Sequence, residues 1–311
     1  IPRDISKVKV GRCSYQFACY HDGGMISDGL LLKLEKNKFW FAQGDGHLFG
    51  WYKAHSSDLD VEIKDPNVWV SQIQGPKSLE LLNKIIDKPL VGNFKYFDLE
   101  EVSIASQKVI VSRTGFTNEL GWEIYISPDN DARKIGDLLL EEGTKMGMLL
   151  TASPGFRGRR IEAGLLSAGR DFTKDRNPFS VGLGKFIDFN KGDFIGRDFL
   201  LNADKKCLTW GMRVENSFAL VDSDIVLDEK KIGIVTSSTW SPYQECGVSI
   251  VHLNDPNFGP GTIVDVLCDN GQNNKGEICK LPMYDVNGDI PRGIKVDIPK
   301  SSVPWKGVKK N

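Results

Sequence analysis

The chain has 311 residues, with 40 lysines and arginines against 41 aspartates and glutamates. This balance, without a basic face in sequence order, argues against a nucleic-acid partner. The longest apolar runs, such as residues 30–32 and 148–150, are far too short to span a membrane, and the length suits two or three domains.

The first part of the chain predicts three strands and a short helix. Strands are favoured at residues 16–20, 30–34 and 38–42, with a glycine-rich connection between the first two. Asp45 is a candidate N-cap for a helix through Trp51 and Lys53. Gly44 and Gly46 follow a strand, as in a phosphate loop, but the third glycine falls one place late for a dinucleotide motif. A nucleotide site is therefore disfavoured.

A second unit follows the joint at residues 65–67. The pattern predicts a strand at residues 68–74, a helix that continues to Ile86, strands near 102–105, 108–112 and 122–126, and a helix from about Asp131 to Met146. Hairpin-length links between the strands indicate an α+β layer, with helices packed on a largely antiparallel sheet.

Residues 154–196 are the least ordinary part of the sequence. An apolar helix is predicted at residues 163–168 and a glycine-punctuated strand at 181–184. After Cys207, short strands alternate with turns, at residues 209–214, 225–227, 231–236, 246–251 and 262–267. This spacing predicts a small all-β barrel or jelly roll, followed by a tail of about 25 residues that lies over the surface.

Cysteine and histidine spacing bounds the chemistry. Six cysteines are scattered without a C-x-x-C pair, which favours reduced thiols in a cytoplasmic protein. The four histidines show neither H-x-H nor H-E-x-x-H spacing, so the sequence predicts no metal site.

Glu123 stands in the block Ser112 to Ile126, which predicts a strand, a polar turn and a returning strand. One interpretation makes Glu123 a solvent-facing strand residue. The alternative follows from its neighbours Trp122 and Ile124, because an acid between apolar residues is rarely left unpaired. Such a carboxylate could accept two parallel N–H bonds from a flat heterocycle, with Phe116 and Tyr125 as aromatic surface.

Two further groups allow both a structural and a functional interpretation. The arginines of the cluster Arg157 to Glu162 either pair internally with Glu162 at a helix start, or hold an anionic substrate tail or another acid. Asp28 follows Ser27 in the stretch Gly23-Gly24-Met25-Ile26-Ser27-Asp28, where it is either a turn acid or a residue at the mouth of a site.

Taken together, several motifs resemble the glycine-cleavage T-protein (aminomethyltransferase) family. They occur in the family's order and cover nearly the whole chain: Arg113-Thr114-Gly115-Phe116-Thr117, Gly121-Trp122-Glu123-Ile124, Arg160-Ile161-Glu162-Ala163-Gly164, Phe194-Ile195-Gly196, Val235-Thr236-Ser237 and Ser241-Pro242. The resemblance implies three domains in a cloverleaf around a tetrahydrofolate channel, with Glu123 holding the pterin and Arg160 near the same channel. It also implies that Pro2 to Ser6 correspond to a point well inside the family's first domain, so the opening segment of that domain is expected to be absent from this chain.

The resemblance sets the expected domain limits. Residues 1–64 and 151–203 form the folate-binding domain, and residues 65–150 form a ferredoxin-like α+β domain between its two parts. Residues 204–285 form the C-terminal β-barrel, and residues 286–311 form the tail.

At Ser27 the sequence departs from the family, whose members carry Gly-Gly-x-x-Asp-Asp. Serine cannot carry the negative charge that would stabilise an iminium or a protonated amine. This departure, with the stretches from Arg160 to Ser167 and from Asn177 to Lys185, is similar to the dimethylsulfoniopropionate demethylase branch, which moves a methyl group to tetrahydrofolate. That branch tends to carry tryptophan near Asp98 and in place of Phe116, which suggests a different donor here.

Three hypotheses follow. The first is a tetrahydrofolate-dependent demethylase of a small S-, N- or O-methyl donor, with Asp28 and Ser27 at the reacting carbon. The second is an aminomethyltransferase that forms methylenetetrahydrofolate with a lipoyl carrier protein as partner. The third is a non-catalytic folate-binding protein, which resembles relatives with a cysteine where this chain has Asp193.

Overall fold

The computed structural model describes residues 1–90, 94–151 and 153–295, except for the side chains of residues 153–157. Within these ranges, thirteen strands form one three-stranded sheet, one four-stranded sheet and a closed six-stranded barrel. Neighbouring strands in all three sheets run antiparallel. This architecture confirms the predicted fold class, α+β with antiparallel sheets, helices and a C-terminal β-barrel.

The first sheet contains the three strands predicted near the start of the chain, in the order β1-β2-β3. Its elements are β1 (Arg12–Cys19), β2 (Met25–Glu35), β3 (Lys38–Ala42) and the following helix α1 (Leu48–Ala54). The prediction of Asp45 as the N-cap of this helix is wrong. The cap residue is His47, and its side chain makes no capping hydrogen bond.

The second sheet has two helices on one face. Its elements are β4 (Trp69–Gln74), α2 (Ser78–Ile85), β5 (Leu99–Ile104), β6 (Gln107–Ser112), β7 (Gly121–Ile126) and α3 (Ala132–Lys145), with strand order β4-β7-β6-β5. Trp122, Ile124 and Ile126 pack in the core that includes Leu82 of α2 and Ile135 of α3. Because side chains alternate along a strand, Glu123 and Tyr125 point to the opposite face.

The connecting region between the second sheet and the barrel differs from its prediction. Helix α4 spans Ser153–Ala163, so the helix predicted at 163–168 is wrong. Gly164 ends the helix with a φ of +68°, in the left-handed region that favours glycine. The strand predicted at 181–184 is also wrong: these residues form a turn that leads into a short 3-10 helix, Gly184–Phe186. Helix α5 (Arg197–Asn202) completes this region.

The C-terminal barrel closes in the order β10-β11-β8-β13-β12-β9. Its strands are β8 (Thr209–Glu215), β9 (Asp224–Leu227), β10 (Lys230–Ser241), β11 (Cys246–Leu253), β12 (Ile263–Leu267) and β13 (Asn273–Cys279). Strand β13 was not predicted, because its first half is polar and exposed and it buries Gly276, Ile278 and Cys279. Backbone hydrogen bonds from β8 and β12 hold this polar strand in place.

The end of the chain returns to the second sheet. Arg113 donates from Nε to the Pro291 carbonyl at 3.2 Å and from Nη1 to the Phe94 carbonyl at 2.8 Å. Residues 296–311 of the predicted tail lie outside the described residues, and the predicted domain limits stay predictions.

None of the described helices has the length and apolarity needed to cross a membrane.

Candidate active site

Asp28 lies on the inner face of the first sheet, beside Tyr15. It pairs with Phe17 in the β1–β2 register, and the Tyr15 hydroxyl donates to Asp28 Oδ2 at 2.7 Å. Residues directly opposite in an antiparallel pair point to the same face, as do residues two apart along a strand. Tyr15, Phe17 and Asp28 therefore share one face, which leaves the carboxylate half-buried at its edge.

The surroundings of Asp28 raise the pKa of its carboxyl group toward neutral pH. Burial raises the pKa of Asp28 to about 6, against the lowering effect of the Tyr15 hydrogen bond, and the charges of Asp45 and Asp171 raise it further. Burial also raises the pKa of Tyr15 well above its usual value, so its phenol stays a hydrogen-bond donor. The pair thus presents a carboxylate that changes charge near pH 6.

Ser27 points away from Asp28, toward the loop after β3. It pairs with Ala18 on the other face of the sheet and is fully buried, and its hydroxyl donates to the Asp45 carbonyl. Gly46 approaches so closely that an added Cβ would stand 2.8 Å from the Ser27 Cβ. The structure therefore gives Ser27 a contact that holds this loop and does not bring its hydroxyl to the Asp28 carboxylate.

Glu123 projects from β7 on the face opposite the helices, and one of its oxygens is held by two hydroxyl groups. Thr114 donates to Glu123 Oε2 at 2.5 Å and Tyr125 donates to the same oxygen at 3.1 Å. The hydrogen bonds of the described residues leave Oε1 without a donor. Glu123 can thus accept a bond from a ligand through Oε1 while Oε2 stays fixed by the protein.

The environment of Glu123 also raises its pKa. Burial raises the pKa of this carboxyl, while the bonds from Thr114 and Tyr125 favour the ionised form and lower it. The first sheet meets the second beside this group, because the Cys13 amide donates to the Phe97 carbonyl at 2.7 Å. Cys13, Leu32 and Tyr125 form one small buried cluster at this junction.

The two acids are connected by one continuous face of β1. Cys13, Tyr15 and Phe17 alternate on that face, and Cys13 lies near Glu123 while Phe17 pairs with Asp28. Four residues of strand span roughly 13 Å. Asp28 and Glu123 therefore border the same surface from opposite ends.

Arg160 is held inside the protein by Asp171. Arg160 donates from Nη1 to Asp171 Oδ2 at 2.7 Å and from Nη2 to the Ser237 hydroxyl at 2.7 Å, and Asp171 is fully buried. The Ser167 amide adds a second bond to the Asp171 carboxyl at 2.9 Å. This arrangement favours a positioning contact for Arg160 over direct pairing with an anionic tail.

A bulge in the barrel completes the shell of Asp171. The β10–β11 register shifts between Val235 and Ser237, so the extra residue lets two consecutive side chains reach the same neighbour. Thr236 and Ser237 both donate to Asp171 Oδ1 at 2.7 Å. The Val235-Thr236-Ser237 motif therefore ties the barrel to helix α4 through one carboxylate.

The other sequence-predicted groups lie around these contacts. Phe116 is 42% exposed, and its ring centroid lies 5.9 Å from the Arg160 guanidinium carbon. Tyr125 is buried and holds Glu123 through its hydroxyl, and its ring lies 6.1 Å from that of Trp40. Within the arginine cluster, Arg159 pairs with Glu162, as the structural interpretation of the cluster expected, and also with Glu119, which was not predicted. The Arg157 side chain lies outside the described residues.

A separate cleft of about 470 Å³ lies between the β4–α2 turn, helix α4 and the β10–β11 turn. Glu119, Arg159 and Glu162 line it, whereas Asp28, Glu123 and Arg160 do not. The candidate site is placed instead at Asp28 and Glu123, because each is a partly buried carboxylate held by hydroxyl groups.

The sequence did not predict which residues hold these groups through contacts, although Thr114 lies in one of the motifs. Tyr15, Thr114, Asp171 and Trp40 belong to the site by contact with Asp28, Glu123, Arg160 and Tyr125. Tyr15 could have been found by strand alternation, since it lies diagonally across the β1–β2 hairpin from Asp28. Asp171 could not, because the barrel contact that surrounds it comes from residues 65 or more positions away.

Comparisons with known proteins agree with this architecture. Residues 1–191 match the family model described as the GCVT N-terminal domain, and residues 210–285 match the glycine cleavage T-protein C-terminal barrel domain. An aminomethyltransferase of Caldanaerobacter subterraneus is 31% identical over 280 residues, which cover 87% of this chain and 74% of that protein. One from Clostridium botulinum is 34% identical over 253 residues, 77% of this chain and 67% of the relative.

A solved structure shows the same fold. The crystal structure of glycine cleavage system aminomethyltransferase T from Bartonella henselae superposes with a TM-score of 0.81 at 22% identity, over 91% of this chain and 79% of that one. The family models and the similar aminomethyltransferases identify the chain as a tetrahydrofolate-dependent one-carbon transferase. The chain belongs to the glycine cleavage T-protein family.

Proposed function

We propose that this protein is an aminomethyltransferase, which transfers a one-carbon unit from an aminomethyl group on a lipoyl carrier protein to tetrahydrofolate. The observation that carries the proposal is the half-buried Asp28 carboxylate, held by Tyr15 on the same face that leads to Glu123. Several similar proteins bear the name aminomethyltransferase, and this supports the same activity here.

Ser27 no longer argues for methyl transfer over aminomethyl transfer. By itself, the sequence indicates the loss of a charge at the reacting carbon, because serine stands where the family has aspartate. Strand alternation places Ser27 on the far side of the sheet, with its hydroxyl on the Asp45 carbonyl. The charge that faces the site comes from Asp28, and it is present.

The residues around Glu123 fit a folate. Glu123 Oε1 is available to a flat heterocycle with N–H donors, while Oε2 is held by Thr114 and Tyr125. Phe116 offers an exposed aromatic ring near Arg160. Tetrahydrofolate supplies the nitrogen that accepts the one-carbon unit.

Asp28 acts by its charge in this proposal. The protonated amine of an aminomethyl donor leaves as ammonia, so its positive charge passes to the carbon that is transferred, and an ionised carboxylate beside that carbon stabilises the charge. The folate nitrogens then bond this carbon, and its bond to sulfur breaks to release the lipoyl thiol and a proton. The Tyr15 hydroxyl fixes the carboxylate orientation.

The six cysteines, all unpaired, favour a reducing compartment, so we place the protein in the cytoplasm.

The test is the folate product. The protein is incubated with tetrahydrofolate and either aminomethyl-lipoyl carrier protein or a panel of methyl donors that includes dimethylsulfoniopropionate, and the product is identified by mass. We expect methylenetetrahydrofolate to form with the aminomethyl-lipoyl carrier protein and with none of the small methyl donors. A 5-methyl product from a small donor would establish the demethylase hypothesis instead, and tight folate binding without product would favour a binding protein.

Replacing Glu123 by alanine is expected to weaken tetrahydrofolate binding. The change removes a charge-assisted pair worth roughly 1.5–3 kcal/mol, which corresponds to about a 10- to 150-fold rise in Kd. Isothermal titration of tetrahydrofolate measures it. Glu101→Ala is the control, because Glu101 lies on the same sheet in an exposed pair with Lys108. Equal affinities in the two variants would show that Glu123 does not hold the folate.

A further inference from the structure

We propose that Ser112 and Thr114 are positioning residues for the folate site: their hydroxyl groups form a two-step relay that fixes which oxygen of Glu123 faces the ligand. The inference rests on the proposed folate site and adds the residues that orient its carboxylate. Neither residue touches the folate in this proposal, because both act through Glu123.

Hydrogen-bond directions follow from the number of protons available. The Ser112 and Thr114 hydroxyl oxygens lie 2.5 Å apart, and Thr114 Oγ1 lies 2.5 Å from Glu123 Oε2. An ionised carboxylate can only accept, so Thr114 must give its single proton to Glu123. Ser112 is then the donor to Thr114. Both residues are buried, at 0% and 4% exposure, so water does not compete for these bonds.

The backbone explains why the relay ends on Glu123. Ser112 is the last residue of β6 and pairs directly with Glu123 of β7, so their side chains share one face. Thr114 stands two residues further on, in the turn, and comes close enough to bond the same carboxylate. Tyr125 adds the second donor from β7 itself.

Two donors on one oxygen fix the plane of the carboxylate. Because Thr114 and Tyr125 both bond Oε2, the carboxylate loses its rotational freedom and Oε1 is the oxygen left for a ligand. The titratable groups that face Glu123 are Cys13 of β1, Tyr96 of the turn before β5, and Tyr125. Burial raises the pKa of all three, so each stays neutral and the hydroxyl bonds are what favour the ionised form.

The test is the pH dependence of tetrahydrofolate binding in Thr114→Val. Loss of a bond to the ionised form disfavours it, so the pH below which affinity falls is expected to move up by about one unit. The Kd at pH 7 is expected to rise roughly tenfold. Thr114→Ser keeps the hydroxyl and should restore both values to within about twofold of the parent protein. Ser112→Ala, one bond further away, should shift both in the same direction by a smaller amount.

Thr117→Val is the matched control, because Thr117 is a buried threonine of the same turn whose hydroxyl bonds Gln74 at 2.8 Å. It should leave the pH profile in place. The relay is wrong if Thr114→Val retains the parent Kd and pH profile while Glu123→Ala weakens binding, or if Thr117→Val moves the profile as far. If Glu123→Ala itself binds normally, the folate site is misplaced and the relay is overturned with it, whatever product the enzyme forms.

Discussion

Asp28→Asn is expected to lower kcat for aminomethyl transfer by about 10²- to 10³-fold, the range typical of removing one preorganised electrostatic group. Asparagine keeps an oxygen that can accept the Tyr15 hydrogen bond but removes the charge. The substitution therefore separates charge from shape. Steady-state kinetics with saturating tetrahydrofolate and carrier protein measures the effect.

The pH dependence of activity tests independently whether Asp28 acts in its ionised form. Asp28 has a pKa of about 6 in the folded protein, and the ionised form is the active one in this mechanism. For the parent protein, kcat/KM should therefore rise as the pH rises through about 6, and Asp28→Asn should lack that rise. A profile that instead falls above pH 6 would assign Asp28 the role of a proton donor.

Stability should change in the opposite direction from activity. Folding raises the pKa of Asp28 from 3.8 to about 6, so the folded protein binds this proton more tightly than the unfolded chain does. This group's contribution to stability is complete below pH 3.8 and is lost as the pH rises through about 6. At pH 7, Asp28→Asn should be at least as stable as the parent protein, which a denaturation midpoint would show.

The variant Ser27→Ala is the control for Asp28→Asn. Ser27→Ala removes the bond to the Asp45 carbonyl, which should lower the free energy of unfolding by about 1–3 kcal/mol. Its effect on kcat should be far smaller than that of Asp28→Asn. A loss of kcat as large as for Asp28→Asn, with stability unchanged, would restore Ser27 as a catalytic residue.

The largest effect on stability is expected at Asp171. Asp171→Ala leaves the Arg160 guanidinium buried without its carboxylate and removes the acceptor of Thr236 and Ser237. Removing one partner of a buried ion pair typically costs about 3–5 kcal/mol. The free energy of unfolding is measured by denaturant titration, with the slope checked for an unchanged unfolded state.

An exposed pair in the barrel is the matched control for Asp171. Asp265 pairs with Lys275 across β12 and β13 at 2.8 Å, and both side chains are exposed. Asp265→Ala should cost about 0–1 kcal/mol, because water screens such pairs. Similar losses in the two variants would mean that Asp171 does not hold the barrel against helix α4.

The local pattern of apolar and polar residues predicted most helices and strands. It failed where the structure of a segment depends on contacts with residues far away in the sequence. Strand β3 has the predicted limits, and α3 begins directly after Asp131, close to the predicted start, where the Asp131 side chain accepts a capping bond from the Lys134 amide. Strand β13 was missed, since its polar first half gains its pairing from β8 and β12. Residues 181–184 look like a strand in composition, yet they form a turn there.

The sequence by itself determined the family, the α+β class and the choice of Asp28 and Glu123 as candidate acids, because these depend on residue types and on the order of motifs along the chain. Only the tertiary structure decided which of the neighbours Ser27 and Asp28 shares the face of Tyr15 and Phe17, where we propose the site. That choice depends on the β1–β2 register, since a shift of one residue would exchange the faces of Ser27 and Asp28. It also decided that Arg160 is held by Asp171, because the four bonds around that carboxylate come from helix α4, a loop and a barrel bulge that meet only in the folded chain.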